Sequence, residues 1–297
     1  LSILLPVYKC SCVALVTELQ RQCLECGIAY EIIVADDGTM ADKTNQYIVE
    51  RNKVIGQLES VRYITRQENV GRSAIRNFLF SQSKGDRILF IDGDLSLDNP
   101  DFIRRYMQAE GDVVVGGIRI GGNPEQWKGN LRYKYECAFE RKHSLSDRQR
   151  RPFQSFRTTN FIVKRAVFVQ YPFDEKLTHY GYEDVLWGKT LEENGVQIIH
   201  INNPITLTDY ENNTLFIDKT EESLRTLYEY QMLLKGYSKL LEARDRVVLS
   251  HLLKVVLIIN KLFGKKVKKL LQGNKPSIFL FNLYKLMYYI SLEQQAR

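Results

Sequence analysis

The first hundred residues alternate short apolar runs with segments of helical periodicity, and this alternation constrains the fold more than any other feature. Strands that alternate with helices are typical of a parallel sheet wound by crossover helices. The predicted strands are Ser2–Val7, Tyr30–Ala35, Val61–Thr65, Arg87–Ile91 and Asp112–Gly116. The predicted helices lie near Val13–Cys26, Asp42–Asn52, Ser73–Ser81 and Asn99–Met107. We therefore predict an α/β fold on a Rossmann-like, mixed and mostly parallel sheet.

The rest of the chain is less regular. Residues 121–157 combine polar, aromatic and basic side chains, which predicts a mixture of helix and loop. Short strands are predicted at Asn160–Val169 and Val196–Ile201, with a helix between them. From Glu221 onward the pattern is helical, with a break at Gly273–Pro276. We therefore predict an α/β domain over residues 1–215 and a helical C-terminal region over residues 216–297.

Two acidic clusters follow predicted strands. Asp36 and Asp37 come after the second strand, and Asp92 and Asp94 flank Gly93 after the fourth. Open α/β sheets bind their ligands at the carboxyl ends of the strands. A D-x-D turn there suits a hard cation such as Mn²⁺ or Mg²⁺, with coordination positions left for phosphate oxygens. The alternative is an acidic turn whose aspartates only cap local backbone groups.

Several other ligand-binding motifs fail on particular residues. Residues 188–190 (GKT) end like a phosphate-binding P-loop, but Glu183 stands where that motif needs its first glycine. The D-x-D segment also begins like a calcium loop, yet Leu97 replaces the required glycine and Ile103 the bidentate glutamate. No G-x-G-x-x-G follows the first predicted strand. P-loop, calcium-loop and dinucleotide-binding functions are therefore excluded.

Six short motifs together point to one family. They are Pro6–Tyr8, Asp36–Gly38, Asn69–Asn77, Asp92–Asp94, Thr159–Asn160 and Tyr180–Gly188. In this order and spacing they resemble the inverting family 2 glycosyltransferases, whose catalytic domain has the GT-A fold. The resemblance covers about residues 1–230 and is specific as a set, although each motif alone is not. It implies a GT-A type fold for the predicted α/β domain.

The resemblance also implies a nucleotide site. Its expected residues are Pro6, Tyr8, Asp37, Asn69, Arg76 and Asp92. Tyr8 would stack on a uracil base, and Asp37 would accept a hydrogen bond from the ring N–H. Asp94 matches the direct metal ligand, whereas Asp92 matches the position that serves the ribose and a metal-bound water. A plain strand-end turn at Asp37 remains the alternative.

The resemblance places the catalytic base in the Glu183-Asp184 pair. Asp184 matches the carboxylate that deprotonates the acceptor hydroxyl. Asn160, Gly181 and Trp187 are expected beside the donor and acceptor sugars. From the residues alone, Asp184 could be only a helix-start carboxylate that the helix dipole favours. Trp187 could equally pack against the sheet, since Leu186 and Leu191 share its helix.

One position departs from the family pattern. Many metal-dependent relatives carry a histidine ligand downstream in an Asn-Pro-x-x-His stretch, and here Leu207 occupies that place after Asn203 and Pro204. His200 in the preceding strand is either a substitute ligand or an ordinary hydrogen-bonded strand residue. The departure leaves open whether the metal is held by Asp94 and the diphosphate alone, and whether activity is weakened or lost.

We expect transfer of a hexose-type sugar, UDP-linked, to a hydroxyl of a glycan or lipid-linked glycan, with inversion and a divalent cation as cofactor. One alternative is a nucleotide-sugar-binding subunit that has lost catalysis, motivated by Leu207. The other is a nucleotidyltransferase, which also uses strand-end aspartates. That class needs a loop rich in glycine and lysine after the first strand, whereas this chain has Lys9–Cys12 there.

The charge is distributed unevenly along the chain. Residues 235–297 carry 13 Lys or Arg and 3 Asp or Glu, a net charge of +10, whereas residues 1–234 carry 29 and 32, a net charge of −3. A basic tail on a near-neutral body is not the pattern of a nucleic-acid-binding domain. It favours an acidic surface, of which an anionic membrane leaflet is one candidate.

The tail combines apolar helical faces with lysine margins. Such helices suit a membrane interface, and they equally suit a cover for the catalytic domain or a contact with a second subunit. The chain has five cysteines, an odd number, and it opens on a predicted strand where an export signal would stand. Both features favour reduced thiols. We therefore expect a cytoplasmic protein, peripheral at the inner face of the membrane if the tail meets lipid.

Overall fold

Within residues 1–295, which a computed structural model describes, the chain forms nine strands and thirteen α-helices. The strands are β1 (Ser2–Val7), β2 (Glu31–Asp36), β3 (Val61–Thr65), β4 (Arg87–Ile91), β5 (Val113–Val115), β6 (Ile118–Ile120), β7 (Asn160–Lys164), β8 (Ile198–His200) and β9 (Ile205–Leu207). The last two residues of the predicted helical region, 296 and 297, lie outside the described residues.

Helices are interspersed with the strands through the first two hundred residues, and the elements after β9 are helices. They are α1 (Val13–Glu25), α2 (Gln46–Asn52), α3 (Arg72–Ser81), α4 (Phe102–Gln108), α5 (Pro124–Trp127), α6 (Leu131–Glu140), α7 (Leu145–Arg150), α8 (Arg165–Gln170), α9 (Glu183–Glu193), α10 (Asn213–Glu229), α11 (Lys239–Leu249), α12 (Leu253–Gln272) and α13 (Ile278–Gln295). Short 3-10 helices lie at Thr39–Ala41, Lys43–Asn45 and Lys53–Gln57.

Seven strands form one sheet in the order β3-β2-β1-β4-β7-β5-β8. All neighbouring strands are parallel except β7, which runs antiparallel to β4 and β5. Strands β6 and β9 form a separate parallel pair. The mixed, mostly parallel sheet and the helical C-terminal region confirm the predicted α/β architecture. Because β1 lies between β2 and β4, the segments that follow these three strands meet at one edge of the sheet.

The central strands are buried on both faces. Residues 3–5, 32–35 and 88–91 are all 0% exposed. Parallel strands covered on both sides carry continuous apolar runs instead of alternating ones, because neither face meets water. This burial explains why β1, β2 and β4 were identifiable in the sequence nearly residue by residue.

An aromatic cluster packs against the sheet beside β4 and β7. Phe90 and Phe161 stack with ring centroids 5.1 Å apart, and Phe173 stacks on Trp187 at 5.0 Å. Phe168 packs among them. Aromatic side chains bury large areas, so this cluster anchors the second half of α9 on the sheet.

By compactness the chain divides into two units. The first comprises residues 1–121, 143–178 and 187–209, and it contains both sheets. The second comprises residues 122–142, residues 179–186 and the chain from Tyr210 onward. Residues 122–142, 179–186 and 210–215, which lie within the predicted α/β domain of residues 1–215, fall in the second unit by this division.

The helical unit has its own apolar core. One cluster joins α6, α10, α12 and α13 through Leu131, Ile217, Leu271, Phe281 and Tyr284. A second cluster forms where α10, α11 and α13 meet, around Leu224, Leu227, Leu234, Leu241 and Tyr289. The three longest helices of the chain thus bury one side each within this unit.

Two departures from the predicted elements have a local cause. The predicted strand Asn160–Val169 ends at Lys164, since the chain continues as helix α8 from Arg165, whose backbone N–H donates to the Asp86 carbonyl oxygen at 2.7 Å. Helix α10 begins at Asn213, well before the predicted start at Glu221, because the Asn212 side chain accepts from the Leu215 N–H at 3.0 Å.

Among the described helices, none alone has the length and apolar composition of a membrane span. Helices α11 and α12 pass that test only as a pair, and the chain bends by 113° between them.

Candidate active site

The segments that follow β1, β2 and β4 are tied together at one edge of the sheet in the first unit. The backbone N–H of Asp37 donates to the Val7 carbonyl at 2.8 Å, and the N–H of Gly93 donates to the Pro6 carbonyl at 3.2 Å. The N–H of Asp92 donates to Thr159 at 3.1 Å. These bonds bring Pro6, Asp37 and the D-x-D turn to one place, as the sequence predicted.

Gly93 allows the D-x-D turn to lie against β1. A Cβ at this position would lie 2.6 Å from Val7 Cγ2 and 3.1 Å from the Pro6 carbonyl oxygen. Gly93 and Leu95 are buried, whereas Asp94 between them is exposed. Any side chain larger than hydrogen at the middle position would push the turn away from β1, so the close approach requires glycine.

Asp94 lies near the loop that follows β1. Burial and the negative charge of Asp94 are the two largest effects that raise the pKa of the Cys10 thiol. A thiol kept protonated in this way is a poor nucleophile and a poor metal ligand. Cys10 therefore acts as a neutral neighbour of the exposed Asp94 carboxylate.

Asp92 is held by a buried arginine. Arg76 Nη2 lies 2.6 Å from Asp92 Oδ1, and the side chains are 2% and 21% exposed. Arg76 Nη1 also donates to the Arg72 carbonyl at 3.2 Å. Leaving either charge of such a pair alone in the interior would cost several kcal/mol, about 3–5. The predicted place of Arg76 in the nucleotide site stays a prediction, and the structure shows its guanidinium against Asp92, where it orients that carboxylate.

Asp37 anchors the loop that leads into α3. Its carboxylate accepts from the N–H groups of Val70 at 3.0 Å and Gly71 at 3.2 Å. It is 4% exposed, and burial raises the pKa of its carboxyl group against the opposing effect of these two bonds. Asn69 is exposed, and its side-chain oxygen accepts from the Gly71 N–H at 3.2 Å. Asp37 therefore has a structural task in addition to any contact with a base.

Tyr8 stands exposed at the same edge. It is 46% exposed, and the Nζ of Lys9 lies 5.0 Å from its ring centroid. Lys9 has a φ of 54° and forms an ion pair with Asp42 at 2.8 Å. A left-handed conformation outside glycine costs energy and is often retained at functional sites. The exposed ring is suited to stacking on a planar ligand.

Arg66 is a charged residue at this edge that sequence reasoning missed. Its N–H donates to the Asp36 carbonyl at 3.0 Å, and its guanidinium lies 4.4 Å from the Phe78 ring centroid. Its positive charge acts to lower the pKa of Asp37. No motif marks Arg66, but its position directly after β3 was a signal, since that strand ends at the same edge.

Two residues predicted to contact sugars are buried. Asn160 is 1% exposed, its amide nitrogen donates to the carbonyls of Gly117 (3.1 Å) and Asn203 (2.9 Å), and its oxygen accepts from Tyr106. Trp187 is 3% exposed, and its Nε1 donates to Tyr171 at 2.8 Å. Both side chains are used within the protein, and the expected sugar contacts stay a prediction. The packing interpretation accounts for Trp187.

His200 is a structural residue in place of a metal ligand. It is 1% exposed, with Nδ1 3.0 Å from Arg148 Nη1 and Nε2 2.9 Å from the Pro152 carbonyl. Because arginine only donates, Nδ1 accepts and Nε2 carries the proton. Both ring nitrogens are therefore occupied. Leu207, at the place of the family histidine, is 2% exposed in β9.

The His200 contacts predict how stability depends on pH. Burial, with the charge of Arg148, lowers the pKa of His200 to about 4 from 6.5. The folded state thus favours neutral imidazole, and this stabilisation is complete above pH 6.5 and lost as pH falls towards 4. In the wild type, the free energy of unfolding should fall by about 3 kcal/mol through this residue as pH drops from 6.5 to 4. We expect His200→Gln, which keeps a donor and an acceptor, to abolish that decrease. Urea unfolding between pH 7.5 and 4 measures it.

His251→Asn is the matched control, because His251 is exposed and its φ of 58° suits asparagine. An unchanged pH slope in the His200 variant, or the same loss of slope in the control, would show that His200 does not carry the effect.

The predicted catalytic pair lies in the second unit, at the start of α9. Gly181 and Tyr182 have φ of 95° and 69°, so two consecutive residues in the left-handed region precede the helix. A Cβ on Gly181 would lie 2.7 Å from the Ser223 Cβ. Glu183 is 5% exposed and Asp184 is half-buried. The strained, anchored turn therefore fixes the direction of the first helical turn, which carries both carboxylates.

The loop before α9 is tied to α10. The Tyr180 N–H donates to a Glu222 carboxylate oxygen at 3.1 Å, and the Thr226 hydroxyl donates to the Tyr180 carbonyl at 3.1 Å. Asp184 Oδ1 accepts from the Val185 N–H at 2.8 Å. This bond holds the Asp184 carboxylate against the backbone of the first turn of α9.

The aspartates of the first unit fit a cation that takes most of its ligands from elsewhere. Among residues 1–295 no group of three His, Cys, Asp or Glu side chains forms a metal cage. Asp94 is exposed, and Asp92 has one oxygen on Arg76. Mg²⁺ and similar ions are commonly held by one or two carboxylates, with phosphates and water completing the shell. The donor set therefore fits a cation bound together with a diphosphate.

The profile of the family described as Glycosyl transferase family 2 matches residues 2–173. The undecaprenyl-phosphate 4-deoxy-4-formamido-L-arabinose transferase of Pseudomonas aeruginosa is 31% identical over 131 residues, which are 43% of this chain and 38% of that protein. The protein of the same name from Aeromonas hydrophila is 31% identical over 126 residues, 40% and 36% of the two chains. The chain thus spans less than half the length of these relatives.

One solved structure resembles the fold of this chain over nearly its whole length. Mannosyltransferase PcManGT from Pyrobaculum calidifontis, solved with GDP-Man and Mn²⁺, has a TM-score of 0.55 at 12% identity and covers 99% of this chain and 85% of its own. Residues 1–349 of TarS from S. aureus give a TM-score of 0.47 at 16% identity, covering 100% and 91%. At this identity the likeness to PcManGT concerns the fold, and it confirms the predicted GT-A type.

Proposed function

The chain belongs to glycosyl transferase family 2, and on that premise we propose that it transfers a sugar from a nucleotide donor with the help of a divalent cation. One observation carries the proposal. At the edge where β1, β2 and β4 end, the exposed Asp94 stands beside an Asp92 that is clamped by buried Arg76. A preorganised pair of carboxylates beside an exposed Tyr8 is suited to a nucleoside diphosphate.

The donor is a UDP-linked hexose. Tyr8 stacks on the uracil base, and Asp37 accepts from the ring N–H. Both Asp37 oxygens already accept from the backbone, but an ionised carboxylate has about four acceptor sites, so lone pairs remain for the base. Asn69 and Pro6 would contribute to the same nucleotide site, and the charge of Arg66 acts on Asp37. Arginine at this position favours an anionic ligand.

Asp94 and the second oxygen of Asp92 would hold Mn²⁺ or Mg²⁺. When bound, the cation neutralises charge on the departing nucleoside diphosphate. Arg76 has two tasks: it fixes the orientation of Asp92, and its charge reduces the repulsion between the two aspartates. This arrangement needs no histidine ligand, which is consistent with Leu207 and with the occupied ring nitrogens of His200.

Asp184 is the general base. It takes the proton from the acceptor hydroxyl, whose oxygen forms a bond to the anomeric carbon as the bond to the diphosphate breaks, with inversion. Its position at the start of α9, where Oδ1 accepts from the Val185 N–H, holds the carboxylate in one orientation. Glu183, beside it in the same helical turn, is 5% exposed and would assist as the second carboxylate of the catalytic pair. Gly181 lets the chain pass close to Ser223 before the helix.

The acceptor is a glycan carried on a lipid. The curated relatives are named as undecaprenyl-phosphate transferases, which supports a lipid-borne acceptor for this chain. With a lipid-borne acceptor the reaction would take place at a membrane surface, where this chain would act as a peripheral protein.

Nucleoside diphosphate release from a panel of UDP- and GDP-sugars, with Mn²⁺ and with lipid-linked glycan extracts, tests the proposal. We expect acceptor-dependent UDP release from one donor. Tight binding of a UDP-sugar without release of UDP would establish the alternative suggested by Leu207, a binding subunit that has lost catalysis. Pyrophosphate release from a nucleoside triphosphate would establish a nucleotidyltransferase.

A further inference from the structure

Helix α12 of the second unit has one side in the core and one side in water. Val267 and Leu271 pack with Ile217 of α10 and Phe281 of α13. Gly264, also buried, lies on the same side. The apolar residues on this side account for the packing of the helix within its own unit. They do not account for the apolar residues on the other side.

The outward side of α12 carries an apolar stripe, in which the exposed Lys266 stands before the last member. Its members recur at helical spacing and are between 39% and 67% exposed: Val255, Ile258, Ile259, Leu262, Phe263 and Leu270. Residues three, four and seven apart share one face of a helix, so these side chains form one surface. Soluble proteins expose single apolar residues routinely, but a contiguous patch marks an interaction surface.

Lysines accompany the stripe. Helix α12 contains six lysines and no acidic residue. Lys268 turns inward to Asp218 (3.2 Å) and Glu221 (2.7 Å). The other five are exposed, and none forms an ion pair with another of the described residues: Lys254, Lys261, Lys265, Lys266 and Lys269. At helical spacing, Lys254, Lys261 and Lys265 lie along one margin of the stripe.

We propose that this face of α12, the stripe with its five lysines, docks on an anionic lipid bilayer. The apolar side chains enter the boundary between headgroups and acyl chains, and the lysines extend to the lipid phosphates. A second copy of the chain would bring five lysines against five lysines across a two-fold interface, and that arrangement is repulsive. An anionic bilayer offers phosphates to the lysines and an apolar interior to the stripe.

Sedimentation of the full chain with vesicles tests the proposal. We expect binding to phosphatidylcholine vesicles that contain a quarter phosphatidylglycerol, and much weaker binding to pure phosphatidylcholine. High salt weakens the interaction because the Debye length shrinks from about 10 Å at 0.1 M to about 3 Å at 1 M. Lys261→Gln and Lys265→Gln each lower the partition coefficient about fivefold, which corresponds to about 1 kcal/mol per lysine. Lys43→Gln, on an exposed lysine outside α12, is the charge control.

Substitution of two exposed phenylalanines distinguishes binding through the stripe from binding through any exposed apolar side chain. Phe263 on α12 is 50% exposed, and Phe279 on α13 is 76% exposed. We expect Phe263→Ser to lower binding about tenfold, since a ring removed from water contributes on the order of 1–3 kcal/mol, and Phe279→Ser to leave it unchanged. Both sites are exposed, so circular dichroism should be unaltered.

Three results would overturn the proposal. One is absence of binding to the anionic vesicles at low salt, and another is equal weakening by the two phenylalanine substitutions. The third is a dimer in solution that Leu262→Glu dissociates, because this would identify the face as an interface between copies of the chain.

Discussion

Asp184→Asn will lower the rate of sugar transfer by about 100- to 10,000-fold, because an amide cannot accept the proton of the acceptor hydroxyl. Donor affinity should stay close to that of the wild type, since Asp184 is assigned to the acceptor. The substitution preserves size and keeps an oxygen that can accept from the Val185 N–H. Single-turnover rates with saturating donor and acceptor, beside calorimetric UDP affinity, separate the two effects.

Asp174→Asn is the matched control. Asp174 is an exposed aspartate whose carboxylate accepts from the Lys176 N–H at 2.9 Å, and it has no part in the proposed site. A wild-type rate in Asp184→Asn would exclude this residue as the base. It would also point to an acceptor that attacks through an already ionised oxygen, such as a lipid phosphate, for which no base is needed.

Asp94→Asn will remove the metal-dependent part of UDP binding, an effect of about 100-fold or more. The reason is that a cation bridging one exposed carboxylate and a diphosphate contributes several kcal/mol, which is lost with its main protein ligand. In the wild type, calorimetry should give tight UDP binding in Mn²⁺ and weak binding in a chelator. In the variant the two affinities should converge on the weak value.

Asp98→Asn provides the control on the same segment, because Asp98 is exposed and follows the turn closely. Electron paramagnetic resonance of Mn²⁺ gives an independent readout, with the free-ion signal falling when wild-type protein and UDP are added together. Equal UDP affinity in manganese and in chelator for the wild type would remove the cation from the proposed function.

Much of the first unit could be predicted from local sequence. Strands β1, β3 and β4 have the predicted bounds, because buried parallel strands are short apolar runs that end at polar turns. The meeting of Asp37 with the D-x-D turn followed from strand adjacency at one sheet edge. Strands β6 and β9 were not predicted, and they pair only with each other, outside the seven-stranded sheet.

For side chains outside these turns, the sequence predicted only in part whether they lie in the site or in the core. Asn160 and Trp187 stand in motifs of the family, and the same motifs could place them in the sugar site or in the core. Their burial follows from partners distant in sequence: Asn203 for the first, and Phe173 with Tyr171 for the second. Arg66 was overlooked for the converse reason, since no motif contains it and only the sheet brings it beside Asp37.

The sequence by itself determined the succession of strands and helices in the first hundred residues, the acidic turns and the family. It also determined that α12 combines lysines with apolar residues. These features depend on neighbours within a few residues, where backbone sterics and hydrophobic periodicity act directly. The tertiary structure alone decided that Arg76 clamps Asp92, that Arg148 and Pro152 occupy both nitrogens of His200, and which side of α12 faces water. Burial and pairing are properties of groups that only folding brings together, so no local pattern specifies them.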